Sequence, residues 1–191
     1  MRTVTAAFML TLTLVCSESA LAQHTTQHQS DGQAGSSYAA LASRTVKALS
    51  DEQISDLRAA KGMGLALAAE LNGYPGPLHV LQLADQLSLT PSQRAEMQRQ
   101  VDDMKRDARA LGEEVIALET ELDRQFSSRT ITPASLDDVT GRIGQKQAAL
   151  RSAHLKYHLS TVNTLGPDQV EHYNGLRGYN GTQEGHSRVQ P

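Results

Sequence analysis

The stretch that decides the fold is LTPSQRAEMQRQVDDMKRDARALGEEVIALETELDRQF, residues 89–126. Its apolar positions Met97, Val101, Met104, Ala108, Leu111, Val115, Leu118 and Leu122 follow an unbroken 4-3-4-3-4-3-4 spacing. That period lays one continuous stripe down an α-helix, a coiled-coil-like seam. The start of the helix is equally explicit. Thr90 can cap the orphan amides with its hydroxyl, Pro91 suits the first helical position, and Gln93 can reach back to the cap amide. Leu89 stands just outside, where a hydrophobic staple belongs. A helix from about Pro91 to Phe126 extends about 54 Å at 1.5 Å per residue.

Working outward, the same layout recurs at Leu49-Ser50-Asp51-Glu52-Gln53 and at Leu165-Gly166-Pro167-Asp168-Gln169, and Thr132-Pro133 opens a further helix without the Gln. These starts predict five helical segments: Asp51 to Leu71, ending at the breaker Asn72-Gly73-Tyr74-Pro75-Gly76-Pro77; Leu78 to Leu87; Pro91 to Phe126; Pro133 to Leu165; and Pro167 to Leu176. Leu136, Val139, Ile143, Gln147 and Leu150 form a second stripe, and the short link after Phe126 permits an antiparallel hairpin. The expected fold is therefore all-α, a long antiparallel helical hairpin with short flanking helices. Such a rod has little interior of its own, and a second copy covering its other face predicts a homodimer.

Composition agrees. Five Tyr, two Phe and no Trp leave packing to Leu, Met, Val and Ala, against a sandwich or barrel. A net charge of −3 excludes a nucleic-acid-coating protein. At the N-terminus, Met1-Arg2, the apolar run Thr3 to Val15 and Ala20-Leu21-Ala22 read as a signal peptide, residues 1–22, cleaved before Gln23. Val15, where a small residue is expected, speaks against a lipid on Cys16, so the single cysteine leaves with the leader. Export to a periplasm is the expected compartment, and no disulfide can staple the mature chain. Residues 23–37 and 178–191, polar and Gly/Ser-rich, are expected as a disordered leader and tail around a helical domain at 38–177.

The chemistry-bearing residues are few. His154 and His158 stand four apart in a strong helix, and Leu136, Ile143, Leu150 and Leu165 all fall within about 40° of His154 on a helical wheel. Both imidazoles therefore point into the packed face. Two His one turn apart can present ring nitrogens to one ion, and neutral imidazole suits Zn, Ni, Co or Cu. Further donors must come from elsewhere. Glu70 and His79 flank the Pro/Gly breaker and can fold back onto the hairpin; Met63 and Tyr157 are weaker candidates. The competing reading is a pair of interior, pH-responsive histidines. Met97 and Met104 read as core filling rather than as a soft-metal box. The mixed charges of the long helix read as a solvated face. With no nucleophile elbow, HExxH or phosphate loop, and with Gly62-Met63-Gly64 inside a helical stretch, an enzyme is not expected.

An exported helical chain with Leu89-Thr90-Pro91-Ser92-Gln93 opening a long helix and Leu165-Gly166-Pro167-Asp168-Gln169 near its end resembles the Spy/CpxP family, defined by an L-T-x-x-Q motif and related to periplasmic heavy-metal sensor and resistance proteins. The resemblance covers about Leu78 to Tyr179. It implies a cradle-shaped dimer, with Thr90, Gln93 and Gln169 as motif residues. It also implies ATP-independent chaperone activity on unfolded periplasmic clients, or modulation of an envelope-stress signalling protein in the membrane. The metal branch binds ions through His, Glu and Met, and its His-x-x-x-His/Met pattern is similar to His154 and His158. Gly166 replaces Thr in the second box, and the slightly acidic chain departs from the basic cradles of the chaperones. The sequence thus supports a chaperone or stress modulator first, a metal-binding sensor or resistance protein second, and a ligand-free structural adaptor third.

Overall fold

A computed structural model of the chain describes residues 34–179, with side chains from residue 38. The expected signal peptide, most of the leader and nearly all of the tail lie outside the described residues. Seven helices follow in order: α1 (Ala34–Leu41), α2 (Asp51–Arg58), α3 (Leu67–Glu70), α4 (Pro77–Gln82), α5 (Pro91–Ser127), α6 (Pro133–Thr164) and α7 (Pro167–Arg177). There is no strand among the described residues; Val46 and Leu49 form one isolated bridge. The fold is all-α, with α5 and α6 packed along their lengths as the expected hairpin, α2 and α4 laid on α5, and α3 on α6.

The long helices begin as their sequences dictate. Thr90 accepts from the Gln93 amide at 3.2 Å while Gln93 Oε1 accepts from the Thr90 amide at 3.0 Å, a reciprocal box worth about 1 kcal/mol at such a terminus. Thr132 and Ser135 do the same for α6. Of the seam on α5, Met97, Val101, Met104, Ala108, Val115 and Leu118 are buried, with Leu111 and Leu122 half-buried. On α6, Val139, Ile143 and Leu150 are buried, but Leu136 and Gln147 are exposed. Ion pairs Lys156–Asp107 at 2.7 Å, Lys146–Glu114, and Arg142–Glu121 at 3.6 Å fix an antiparallel register, with Met104 level with His158 and Ala108 level with His154.

Two expectations need correction. The single helix over Asp51 to Leu71 is two helices, α2 and α3, separated by a loop. Ala60 (φ 53°), Met63 (φ 46°) and Gly64 (φ 75°) take left-handed backbone there, so Gly62-Met63-Gly64 is a turn and not helix. Two glycines within three residues make that backbone cheap and a helix expensive. The second correction concerns the ends of the domain. Helix α1 reaches four residues into the expected leader, and Tyr179, assigned to the tail, is half-buried against the core.

The core comes in three apolar clusters. Val80, Ala84, Leu87, Leu89, Met97, Leu165 and Tyr173 gather at the end bearing the two boxes. Leu57, Ala60, Ala108, Val115, Ile116 and Leu150 form the middle, and Leu118, Val139 and Ile143 the thin tip. Between the first two lies a polar layer. Met97 and Ala108 bracket Gln100 and Met104 on α5; Leu150 and Leu165 bracket His154, His158 and Thr161 on α6. Thr161 donates to Gln100 Oε1 at 3.1 Å, so that buried amide is satisfied.

Candidate functional site

The polar layer is built from the Pro/Gly breaker upward. Pro75, Gly76 and Pro77 are buried under α6. The chain can pass this close because residue 76 has no side chain: a Cβ there would stand 3.0 Å from His158 Cε1. The Tyr74 carbonyl accepts a hydrogen bond from His158 Nδ1 at 2.6 Å. A carbonyl only accepts, so Nδ1 carries a proton and Nε2 is the ring nitrogen left for a further partner.

Glu70 closes α3 and is 5% exposed. Its Oε2 accepts from the Gly76 amide at 3.1 Å and lies 3.7 Å from His158 Nδ1. Its Oε1 accepts from His79 Nδ1 at 3.2 Å, from the Tyr173 hydroxyl, and from the Tyr179 hydroxyl at 3.3 Å, with Arg177 Nε at 3.7 Å. Burial by itself raises the pKa of this carboxyl. Hydrogen bonds from His79 and Tyr173, the charge of His79 and the Gly76 amide outweigh it and hold the group at about 2. Burial first, and then the bond to Glu70, push the Tyr173 phenol well above its usual range. Glu70 is therefore an ionised hub tying α3, α4 and α7 together.

One turn from His158, His154 is 3% exposed, and its Nε2 is buried with no hydrogen-bond partner. Burial, and after it the neighbouring His158, lower its pKa, so the ring is neutral near pH 7. An orphaned ring nitrogen in a protein interior costs about 1–3 kcal/mol and calls for a reason. Both rings line a cleft of 530 Å³ together with Glu70, His79, Met63 and Met104. Neutral imidazole nitrogen is a donor that suits the late first-row metals. Among the described residues, however, no group of three or more His, Cys, Asp or Glu side chains is arranged to hold a metal ion.

Of the residues singled out by sequence, the fold brings His154, His158, Glu70 and His79 to this one cleft. It uses Glu70 and His79 to bond each other. Met63 lines the cleft; Tyr157 does not, and instead donates to Asp107 at 3.1 Å. Thr90, Gln93 and Gln169 lie at the end of the hairpin and do more than cap. Gln93 Nε2 donates to Gln169 Oε1 at 2.8 Å and to the Thr164 carbonyl at 3.1 Å. Gln169 in turn donates to Gln93 Oε1 at 3.2 Å and to the Leu87 carbonyl at 3.1 Å, while the Gly166 amide donates to Gln169 Oε1 at 3.0 Å. The two boxes are one clasp. Sequence reasoning missed Tyr173, Tyr179, Arg177 and the Tyr74 carbonyl. The one available signal was Tyr173, an aromatic with a hydroxyl in a ring-poor chain, which needs a polar partner when buried.

Neither the curated proteins nor the solved structures give a match. A family model described as heavy-metal resistance matches residues 62–172, from the loop before α3 into α7, and so includes Glu70, His79, His154, His158 and both boxes. The chain belongs to the heavy-metal resistance family.

Proposed function

We propose that this protein is a metal-binding sensor or resistance protein that takes a transition-metal ion on His154 and His158. The observation that carries the reading is the buried, unpartnered Nε2 of His154, one turn from His158 in a shared cleft, within a chain of the heavy-metal resistance family. A bound ion supplies a coordinate cross-link to α6 and positive charge in the layer between two apolar clusters. The chain's own residues do the rest. The Tyr74 carbonyl fixes the His158 tautomer, Gly76 lets the breaker approach, and the packing of α5 on α6 buries both rings. Glu70 and His79, expected as further ligands, serve in this arrangement as supports.

The signal-like N-terminus supports a periplasmic location, and the two boxes support kinship with the Spy/CpxP proteins within this metal-linked group. A homodimer and a membrane signalling protein that reads the hairpin are the partners this function calls for. Client holding rests on the Spy/CpxP resemblance alone, and the family match favours metal. The test is titration calorimetry and thermal unfolding with Zn(II), Ni(II), Co(II) and Cu, on the protein and on a His154→Ala, His158→Ala double variant. We expect stabilisation by at least one ion, of about 2.7 kcal/mol at a hundredfold excess over Kd, lost in the double variant. No binding tighter than about 10 μM at pH 7.5 would defeat the proposal, since such an ion would barely stabilise the fold at low micromolar levels.

A further inference from the structure

We infer that the cleft selects a soft monovalent ion, Cu(I) or Ag(I), over Zn(II), Ni(II) and Co(II), with the Met104 thioether as third donor beside the two imidazoles. The inference rests on the metal-binding reading above and names the ion class it takes.

The hard donor of the cleft is already committed. Both Glu70 oxygens are engaged, by the Gly76 amide on one side and by His79, Tyr173 and Tyr179 on the other. Drawing that carboxylate onto an ion would orphan several buried donors at once. Among the described residues no group of three or more His, Cys, Asp or Glu side chains is placed to hold a metal ion, and the site lacks the closed set that Zn(II) takes in structural centres. What remains toward the cleft is borderline and soft. Met104 is 8% exposed, stands level with His158 in the hairpin register, and lines the same cleft as both rings; Met63 lines it from the loop.

Thioether sulfur prefers Cu(I) and contributes little to Zn(II). Charge points the same way. Neutral nitrogens and a neutral sulfur bring no anion to offset a buried dication, the Glu70 charge is taken up by its own partners, and Lys105 adds a cation to the cleft wall. A monovalent ion escapes most of that penalty, because the solvation cost of an ion grows with the square of its charge.

The experiment uses the purified protein, with Cys16→Ser in any preparation that retains the leader, so that no thiol competes. Ag(I), anaerobic Cu(I) against a chromophoric chelator, and Zn(II) are the probes, with X-ray absorption on the Cu(I)-loaded protein. We expect one ion per chain with a sulfur shell in the absorption spectrum. Met104→Leu should remove that shell and weaken Cu(I) and Ag(I) about tenfold or more while leaving Zn(II) affinity within about twofold. A shell of nitrogen and oxygen alone, or Zn(II) bound at His154 and His158 more tightly than Cu(I), would overturn the selectivity while leaving the metal-binding reading intact. The spectrum of the parent needs no variant, so it decides the matter even if Met104→Leu fails to fold. Absence of every ion from His154 and His158 would instead sink the metal-binding reading itself, and the inference with it.

Discussion

Replacing Glu70 with Gln removes one charge and almost no volume, so its cost isolates the hub. At neutral pH the carboxylate accepts from the Gly76 amide, His79, Tyr173 and Tyr179. A Gln side chain offers one oxygen, and turns an NH2 group toward whichever donors it does not accept from. The magnitude follows from proton linkage. The folded carboxyl titrates at about 2 against an ordinary value of 4.5, a difference equivalent to roughly 3 kcal/mol. Because the folded pKa is the lower one, this contribution is complete above the unfolded pKa and drains away as pH falls from about 4.5 toward 2. Urea unfolding of parent and Glu70→Gln at pH 7 should therefore differ by roughly 3 kcal/mol, or roughly 6–12 °C in Tm. Repeated at pH 4, 3 and 2.5, the gap should close steadily. Equal stabilities at pH 7, or a gap that does not change between pH 7 and 2.5, would refute the hub.

Further outcomes follow from other contacts. His154→Leu removes a buried nitrogen that has no partner, so the metal-free variant should be at least as stable as the parent, by up to about 1 kcal/mol in urea unfolding, while losing metal-dependent stabilisation. The same variant should flatten the pH profile. The folded His154 pKa is lowered, so the parent loses stability as pH drops through the unfolded histidine value near 6.5, and the variant lacks that share of the loss. Gln93→Ala and Gln169→Ala should each destabilise by about 1–2 kcal/mol, and a double-mutant cycle should show coupling of at least about 0.5 kcal/mol, because each amide bonds the other. Gly112→Ala places a Cβ 2.9 Å from the Leu57 carbonyl oxygen and should cost about 1–3 kcal/mol by forcing α2 off α5. Gly144→Ala, which meets nothing within 4 Å on the same hairpin, should stabilise by about 0.5–1 kcal/mol.

The hairpin was legible because two independent signals agreed along it. The 4-3 seam specified one face of α5, and Thr-Pro pairs specified where both long helices begin; the observed bounds, Pro91–Ser127 and Pro133–Thr164, follow those signals closely. The imidazoles were legible for the same reason: the wheel that buries Leu150 and Leu165 buries His154 and His158 with them. The segment before the breaker was not. Ala59, Ala60 and Lys61 favour helix, and only the glycines at 62 and 64 argue otherwise, while the left-handed turn at Ala60 is held by packing in the middle core cluster. The hub was legible only in half. Proximity to the breaker marked Glu70 and His79, but the bonds of Glu70 to Tyr173 and Tyr179 span 103 and 109 residues and depend on how α7 folds back. The clasp between the boxes was hidden likewise. Each Gln reads locally as a cap, and only the antiparallel register of α5 and α6 makes the two caps meet.

The most direct test of the account is a titration of 15N-histidine-labelled protein, followed through the imidazole nitrogens, with Ag(I) and in a parallel series with Zn(II). If the cleft is the metal site, the Nε2 signals of His154 and His158 move together and saturate near one equivalent, ahead of the signals of His24, His28, His172 and His186. If those two signals stay fixed while the other histidines take up the ion, the hairpin has no metal centre and the account fails.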